Sequence, residues 1–365
     1  MDPRAVLTAE AEARGFLTAW APARLPEPPR ARYRAWIAGG KHAGMAYLER
    51  NLETRLDPTR RFPWVKSVLV LGALHAYPDP GVPRGGVRVG RVARYAWVRD
   101  YHAWFAPHLE ALEALCVKLG GRGKGYVDHG PIPERSYAAL GGMGWVGRNA
   151  MLIHQGCGSY FTLAVLLTSF EVEPVPAHPN RCGRCVRCVG ACPTGALPGD
   201  GTLDANRCVS YWTIEHRGLI PPELWDGVGD WLFGCDACQE ACPWNRKAHH
   251  FWEGVRPDPE LAHPDLSAFF TLSSRAFQRR YAGSAFLRPG RVRMARNALV
   301  VLANTRDPAY LSLVRLGAED VNPLVRATAA RALALLGDAR RAERLRKDPD
   351  PRVAAEATRA LEALG

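Results

Sequence analysis

The chain has 365 residues, 47% of them hydrophobic and 23% charged, which is long enough for two or three domains and too apolar for a disordered chain. No apolar run approaches the ~20 residues a bilayer-spanning helix needs. Residues 1–16 (MDPRAVLTAEAEARGF) lack a secretory apolar core and a twin-arginine export signal, so the expectation is a cytoplasmic, monomeric protein with no membrane partner.

Residues 1–20 and 30–50 read as helices separated by the Pro-rich break PARLPEPPR. Residues 66–76 (KSVLVLGALHA) form a continuous apolar run ended by Tyr77-Pro78-Asp79-Pro80 and read as a buried strand. The following segment, 81–99, is rich in Gly and Arg and holds no acid. Residues 101–119 carry Leu109, Leu112, Leu115 and Leu119 on one helical stripe, with Cys116 as a small core residue. Strands are expected at 125–128, 150–154 and 160–168, which makes 1–170 one mixed α/β domain. A Pro-rich connector leads into a cysteine region, and 171–255 is taken as a second domain. Residues 286–365 are helical and repetitive. Pro323-LVRATAARALALLG and Pro351-RVAAEATRALEALG match, and Val292-RMARNALVVLAN is a weaker third copy, as HEAT-like repeats or an Ala-rich helical bundle would give. The fold class expected is α+β, with a ferredoxin-like middle and a helical tail.

Eight of the ten cysteines fall between 182 and 242. Cys182-x2-Cys185-x2-Cys188-x3-Cys192-Pro193 has the spacing of bacterial ferredoxins, in which the fourth Cys serves the other cluster. A second set, Cys208 and Cys235-x2-Cys238-x3-Cys242-Pro243, departs from that pattern because Cys208 is displaced. By the crossover rule Cys182, Cys185, Cys188 and Cys242 hold one [4Fe–4S] cluster. Cys192, Cys208, Cys235 and Cys238 hold the other. A pair of zinc sites is the competing reading, since C-x2-C also suits zinc. Two clusters form an electron wire, and a wire needs an acceptor and an external electron donor.

Gly142-Met143-Gly144-Trp145-Val146-Gly147 matches G-x-G-x-x-G by letter, but a helix pattern precedes it and a strand pattern follows, the reverse of a dinucleotide site. Asp100-Tyr101-His102 begins like a cobalamin D-x-H-x-x-G motif and fails at Phe105.

Val127-Asp128-His129-Gly130-Pro131, Glu134-Arg135, Gly144-Trp145-Val146-Gly147-Arg148-Asn149 and Leu152-Ile153-His154 occur in that order. The cysteine region, with Cys208-Val209-Ser210-Tyr211-Trp212-Thr213-Ile214-Glu215, and the helical tail follow. This order resembles the epoxyqueuosine reductases, the last enzymes of queuosine synthesis on tRNA, and the resemblance covers nearly all of the chain. It implies a cobalamin site in the N-terminal half, related to that of reductive dehalogenases. It implies that Asp128 is the proton donor beside cobalt, supported by Tyr101 and His102. Arg55, Trp145, Gly147, Asn149, His154, Ser159 and Ser210 are then the implied cofactor contacts. Taken singly, Asp128 is also a turn-forming residue before His-Gly-Pro, and the histidines and Trp145 also suit a core.

The implied reaction is two-electron reduction of the epoxide in a tRNA wobble base. Clusters feed cobalamin down to Co(I), and burial of Asp128 against the corrin keeps it protonated. A dehalogenase-like reductase and a non-enzymatic iron–sulfur scaffold are the rivals. The net charge of +12 rests on 42 Arg and only six Lys. Arg275, Arg279, Arg280, Arg288, Arg291, Arg293 and Arg296 have no acid among them from 271 to 300. Arg279, Arg280, Arg291 and Arg296 are the expected tRNA phosphate contacts.

Overall fold

The computed structural model describes residues 2–248 and 251–363. The chain divides into two compact units that interleave along the sequence. The first comprises Met1–Pro78, Asp100–Asn206 and Ala237–Arg256, and the second Asp79–Arg99, Arg207–Asp236 and Pro257–Gly365. The expected cut at 255 falls beside a division, between Arg256 and Pro257, whereas the cut at 170 lies inside the first unit. The Gly/Arg-rich segment 79–99 leaves the first unit because Arg91–Val92 pairs in parallel with Trp231–Phe233, and Asp265 accepts a hydrogen bond from the Val87 amide.

The first unit is built on an antiparallel sheet of β1 (Leu17–Pro22), β2 (Ser67–Leu74), β3 (Gly123–Val127) and β6 (Phe161–Thr168), in the order β1-β2-β6-β3. The two-residue strands β4 (Trp145–Val146) and β5 (Leu152–Ile153) form a separate hairpin. Helices α1 (Pro3–Ala13) and α3 (Tyr101–Lys118) cover one sheet face with Leu7, Phe105, Leu109 and Leu112 against Leu69, Leu71 and Leu166. On the other face α4 (Glu134–Leu140) brings Tyr137 and Ala138 against Val68, Val70 and Val165. Burial on both faces explains why β2 is a continuous apolar run rather than an alternating one.

Two expected helices come out differently. The helix over 1–20 stops at Ala13 because Gly15 adopts φ +85°, and β1 follows. The helix expected over 30–50 is α2 (Glu27–Ala38). Its Pro residues start the helix, where a missing N–H costs nothing, and Gly39-Gly40 end it.

In the second unit α5 (Gly290–Asn304), α6 (Leu311–Ala318), α7 (Pro323–Leu335), α8 (Ala339–Leu345) and α9 (Pro351–Glu362) pack in sequence around α7, whose Val325, Ala329, Ala330 and Leu333 are fully buried. Asn322 and Asp350 cap the two matching helices through the amides of Leu324 and Arg352, with Pro at the first position of each. Ion pairs Arg326–Asp348 and Arg331–Glu356 tie α7 to the next pair of helices.

Candidate active site

Helix α3 runs out from Asp100, and β3 runs back along it, so the end of β3 meets the first turn of α3. Asp128 follows β3 directly and adopts φ +39°, a left-handed conformation that costs a non-Gly residue roughly 1–3 kcal/mol. The Tyr101 hydroxyl donates to Asp128 Oδ2, and the Tyr101 ring stacks on His102. His102 Nε2 lies 2.9 Å from Asp128 Oδ1, and its Nδ1 lies 2.6 Å from Asp100 Oδ1. Asp100 also caps α3 through the His102 amide, which fixes the ring's position. Held between two carboxylates, with Asp100 the larger influence and Asp128 the next, the imidazole has its pKa pushed up to about 9. It is an imidazolium at neutral pH, donating one N–H to each acid. The Asp128 side chain is 48% exposed, and the chain itself places a protonated histidine in direct contact with it. His129 brings a third ligating atom within 4.8 Å, a metal-like grouping, but both His102 nitrogens are already engaged.

Behind this corner lies a second acid, Glu134 of the Glu134-Arg135 motif, to which the sequence assigned no role. Glu134, at the start of α4, is half-buried, and its Oε1 is buried with no hydrogen-bond partner. Burial, with a smaller push from Asp128, raises its pKa to about 7 against the pull of Arg135 and Arg55. Arg135 donates to the Ala150 carbonyl. Arg55 reaches the Gly130 and Tyr47 carbonyls with long bonds of 3.4 and 3.5 Å, and its Nε is buried and unpartnered.

The β4–β5 hairpin explains the G-x-G-x-x-G letters. A Cβ at Gly144 would collide with the Ile153 carbonyl carbon at 2.8 Å, and one at Gly147 would meet Ile153 Cδ1 at 2.5 Å and Asn149 Oδ1 at 2.7 Å. The glycines let two strands close, and no phosphate loop forms. Asn149 is buried, uses Oδ1 on the Met151 amide, and leaves Nδ2 without a partner. His154 accepts the Gly156 and Cys157 amides at Nδ1, so its proton sits on Nε2. Burial, then His178, lowers its pKa and keeps it neutral. It lines a cavity of about 340 Å³ with Phe16, Thr18 and Met143.

Two of the implied cofactor contacts are corrected. The Trp145 side chain is 3% exposed and points Nε1 at Cys182 Sγ, 3.4 Å away, so it belongs to the cysteine site. Ser159 is 1% exposed, and its hydroxyl and amide are spent on Gln239 and Asn245. Ser210 lies in the second unit, half-buried.

Cys182, Cys185, Cys188 and Cys242 line one cavity of about 250 Å³, with Arg148, Asn149, Ile153 and Trp244. Burial first, then the neighbouring sulfurs of Cys242 and Cys182, push the Cys188 thiol up. Cys242 behaves the same way towards Cys182 and Cys185. Thiolates this close repel one another unless cations lie among them, which an iron–sulfur cluster supplies. Of the second set, Cys192 and Cys238 belong to the first unit, Cys208 and Cys235 to the second.

The arginine run is the largest correction. Arg296 is 0% exposed, and its guanidinium is consumed by the carbonyls of Trp212, His216 and Gly218 and by Asn297 Oδ1. Arg291 is buried in a bidentate pair with Asp320 at 2.7 and 3.0 Å. Neither presents a charge to a phosphate. Acids distant in sequence, Asp320, Glu260 and Glu215, fold back onto a run that contains none. Arg279 and Arg280 are exposed, the latter with a surface pair to Glu260.

Comparison with known proteins settles the family. Residues 181–245 match the 4Fe-4S double cluster binding domain, and residues 55–129 match the model described as epoxyqueuosine reductase QueG, DUF1730. Epoxyqueuosine reductase of Bacillus subtilis strain 168 is 34% identical over 307 residues, 82% of this chain and 79% of its own. The chain belongs to the epoxyqueuosine reductase family. It is an oxidoreductase of that family, and the solved epoxyqueuosine reductases share its whole fold. One from Streptococcus thermophilus has a TM-score of 0.90 at 28% identity, covering 100% of this chain and 99% of its own. Another, solved with an epoxyqueuosine-modified tRNA-Tyr stem loop, has a TM-score of 0.91 at 31% identity, covering 99% and 98%.

Proposed function

We propose that this chain reduces the epoxide of epoxyqueuosine, carried in the anticodon loop of a tRNA, to the alkene of queuosine, with cobalamin and two [4Fe–4S] clusters as cofactors and Asp128 as proton donor. The observation that carries the reading is the Asp100–His102–Asp128 chain, a carboxyl with a charged proton store attached, on the segment that matches the family model. The relative crystallised with a modified stem loop supports a tRNA substrate.

A corrin's rim is lined with amides, and two buried donors with nothing to donate to suit it: Arg55 Nε, and Nδ2 of Asn149, a residue that also lines the Cys182–Cys242 cavity. The neutral His154 adds an Nε2–H at a cavity wall. Cobalamin, when bound, would supply a strongly reducing, nucleophilic cobalt centre, and the clusters would supply a one-electron path to it from an external donor. The balance is epoxide plus two electrons and two protons giving alkene plus water. This chain's own part is the protons. A ring-opened epoxide oxygen is a poor leaving group as an alkoxide, and a proton from Asp128 removes that obstacle. Both Asp128 oxygens accept hydrogen bonds at rest, so the proton it delivers is the one His102 Nε2 holds 2.9 Å from Oδ1, which crosses to Asp128 as the substrate oxygen is protonated, and Asp100 stabilises the imidazolium that re-forms between turnovers. Tyr101 orients the carboxyl from the other oxygen.

Cys182, Cys185, Cys188 and Cys242 hold one cluster in this reading. Cys192, Cys208, Cys235 and Cys238 hold the other in a ferredoxin-like crossover. Helices α5–α9 are taken as HEAT-like repeats, and Arg279 and Arg280 as the remaining candidates for the tRNA backbone. A cytoplasmic monomer served by an external electron donor completes the reading. Gel filtration after reconstitution with cobalamin tests it. The corrin absorbance should travel with the protein, less so in Asn149→Ala, and protein that retains no corrin would end the proposal.

A further inference from the structure

Arg296 and Asn297 stand side by side on α5, both 0% exposed, in a segment outside the cysteine region. Arg296 spends all its donors on neutral acceptors. Nη1 reaches the His216 and Gly218 carbonyls at 2.9 and 2.7 Å, Nη2 the Trp212 carbonyl at 2.6 Å, and Nη2 and Nε the Asn297 Oδ1 at 2.8 and 3.1 Å. Asn297 then gives both Nδ2 hydrogens away, to the Thr213 carbonyl at 2.8 Å and the Leu232 carbonyl at 2.9 Å. The Thr213 hydroxyl completes the lattice, donating to the Val209 carbonyl at 2.8 Å and accepting the Gly234 amide at 3.0 Å. The segments so tied are the π-helical turn Tyr211–Glu215, which begins just after Cys208, and the strand Trp231–Phe233, which ends just before Cys235. The Trp212 amide donates to the Cys208 carbonyl at 3.2 Å, so one residue separates the guanidinium from Cys208.

No carboxylate among the described residues pairs with Arg296, and burial lowers its pKa to about 9, which leaves it charged at neutral pH. Burying a cation with only dipoles as partners and a second cation, Arg293, near enough to oppose it is costly, and an apolar side chain of similar size would pack there without that cost. The expense is offset if an anion sits close by. A [4Fe–4S] cluster with four thiolate ligands carries net negative charge, more so when reduced.

We propose that Arg296 and Asn297 are positioning residues for the second cluster. They brace the Cys208 and Cys235 segments at a fixed separation, and the Arg296 charge favours the cluster's reduced state. The inference rests on the assignment of Cys208 and Cys235 as ligands.

The test uses full-length protein reconstituted anaerobically with iron and sulfide, as wild type, Arg296→Lys, Arg296→Met and Thr213→Val. Iron content, the EPR signals of the two reduced clusters, their midpoint potentials and the thermal melt are read together. Arg296→Met should either drop from about eight irons to about four, or keep eight with one cluster titrating at a more negative potential. Arg296→Lys keeps the charge but cannot span three carbonyls. Its potential should return towards wild type while that cluster's EPR line shape stays altered. Thr213→Val, which leaves the charge untouched, should alter the same line shape. The other cluster should be unchanged in every variant. Two clusters with wild-type spectra and potentials in all three variants would overturn the brace. So would loss of both clusters in proportion to a lowered melt. Wild-type protein that binds only about four irons would overturn the ligand assignment, and the brace with it.

Discussion

Replacing Asp128 by Asn removes the proposed acid and one of the two carboxylates that charge His102, while leaving a side chain of the same shape. General acid catalysis contributes about 10²–10⁴-fold, so kcat should fall by that range, roughly 3–5 kcal/mol of barrier. The structure adds a second, independent signature. His102 stands at about 9 because of Asp100 first and Asp128 second. In Asp128→Asn its pKa should therefore drop but stay above the ordinary imidazole value, since the larger influence remains. The sign for stability follows. A raised histidine pKa stabilises the fold fully below about 6.5 and loses that contribution as pH rises through about 9. The stability gap between wild type and Asp128→Asn should accordingly close above that pH. Single-turnover reduction of a modified stem loop, read by nucleoside mass, gives the rate, and NMR of labelled histidine gives the pKa. Turnover within about threefold of wild type would place the proton elsewhere, and an unmoved His102 titration would refute the chain of contacts behind it.

Glu134→Gln should stabilise the cofactor-free protein at alkaline pH. Its carboxyl is raised to about 7, so the native acid destabilises progressively as pH rises from about 4.5 through 7, by at most roughly 3 kcal/mol, and melts at pH 5 and 8 will show whether the gap widens. Cys242→Ser should lower bound iron from about eight to about four per chain, measured by iron analysis. Arg279→Ala with Arg280→Ala should weaken stem-loop binding and flatten its log–log salt slope by up to ~2, with cluster content unchanged, and an unaltered slope in a salt titration would return both to an ordinary solvated face. Arg291→Ala should instead lower stability by about 3–5 kcal/mol, because it strands buried Asp320, and should leave the salt slope alone, as melts and the same titration will report.

The long sheet strands and α3 were legible because two-sided burial and a helical stripe leave unmistakable patterns in residues 66–76 and 101–119. The cluster ligands were legible because thiol spacing is local. The boundary between α1 and β1 was less so, since it depends on one glycine whose positive φ is not written in its letter. The arginines of 271–300 show the main limit. Charge counted along the chain says nothing about acids that fold onto it from 215, 260 and 320. Nor does it reveal that Arg296 faces three backbone carbonyls. Glu134 was legible only as part of the Glu134-Arg135 motif, and packing alone shows that its oxygen is buried without a partner.

The most direct test of the account compares protein reconstituted with both clusters and cobalamin against protein carrying the same iron and no cobalamin, each given a low-potential reductant and an epoxyqueuosine-modified stem loop. The account predicts a nucleoside lighter by one oxygen only where cobalamin is present. The same product at the same rate from the cobalamin-free, iron-replete protein would contradict it.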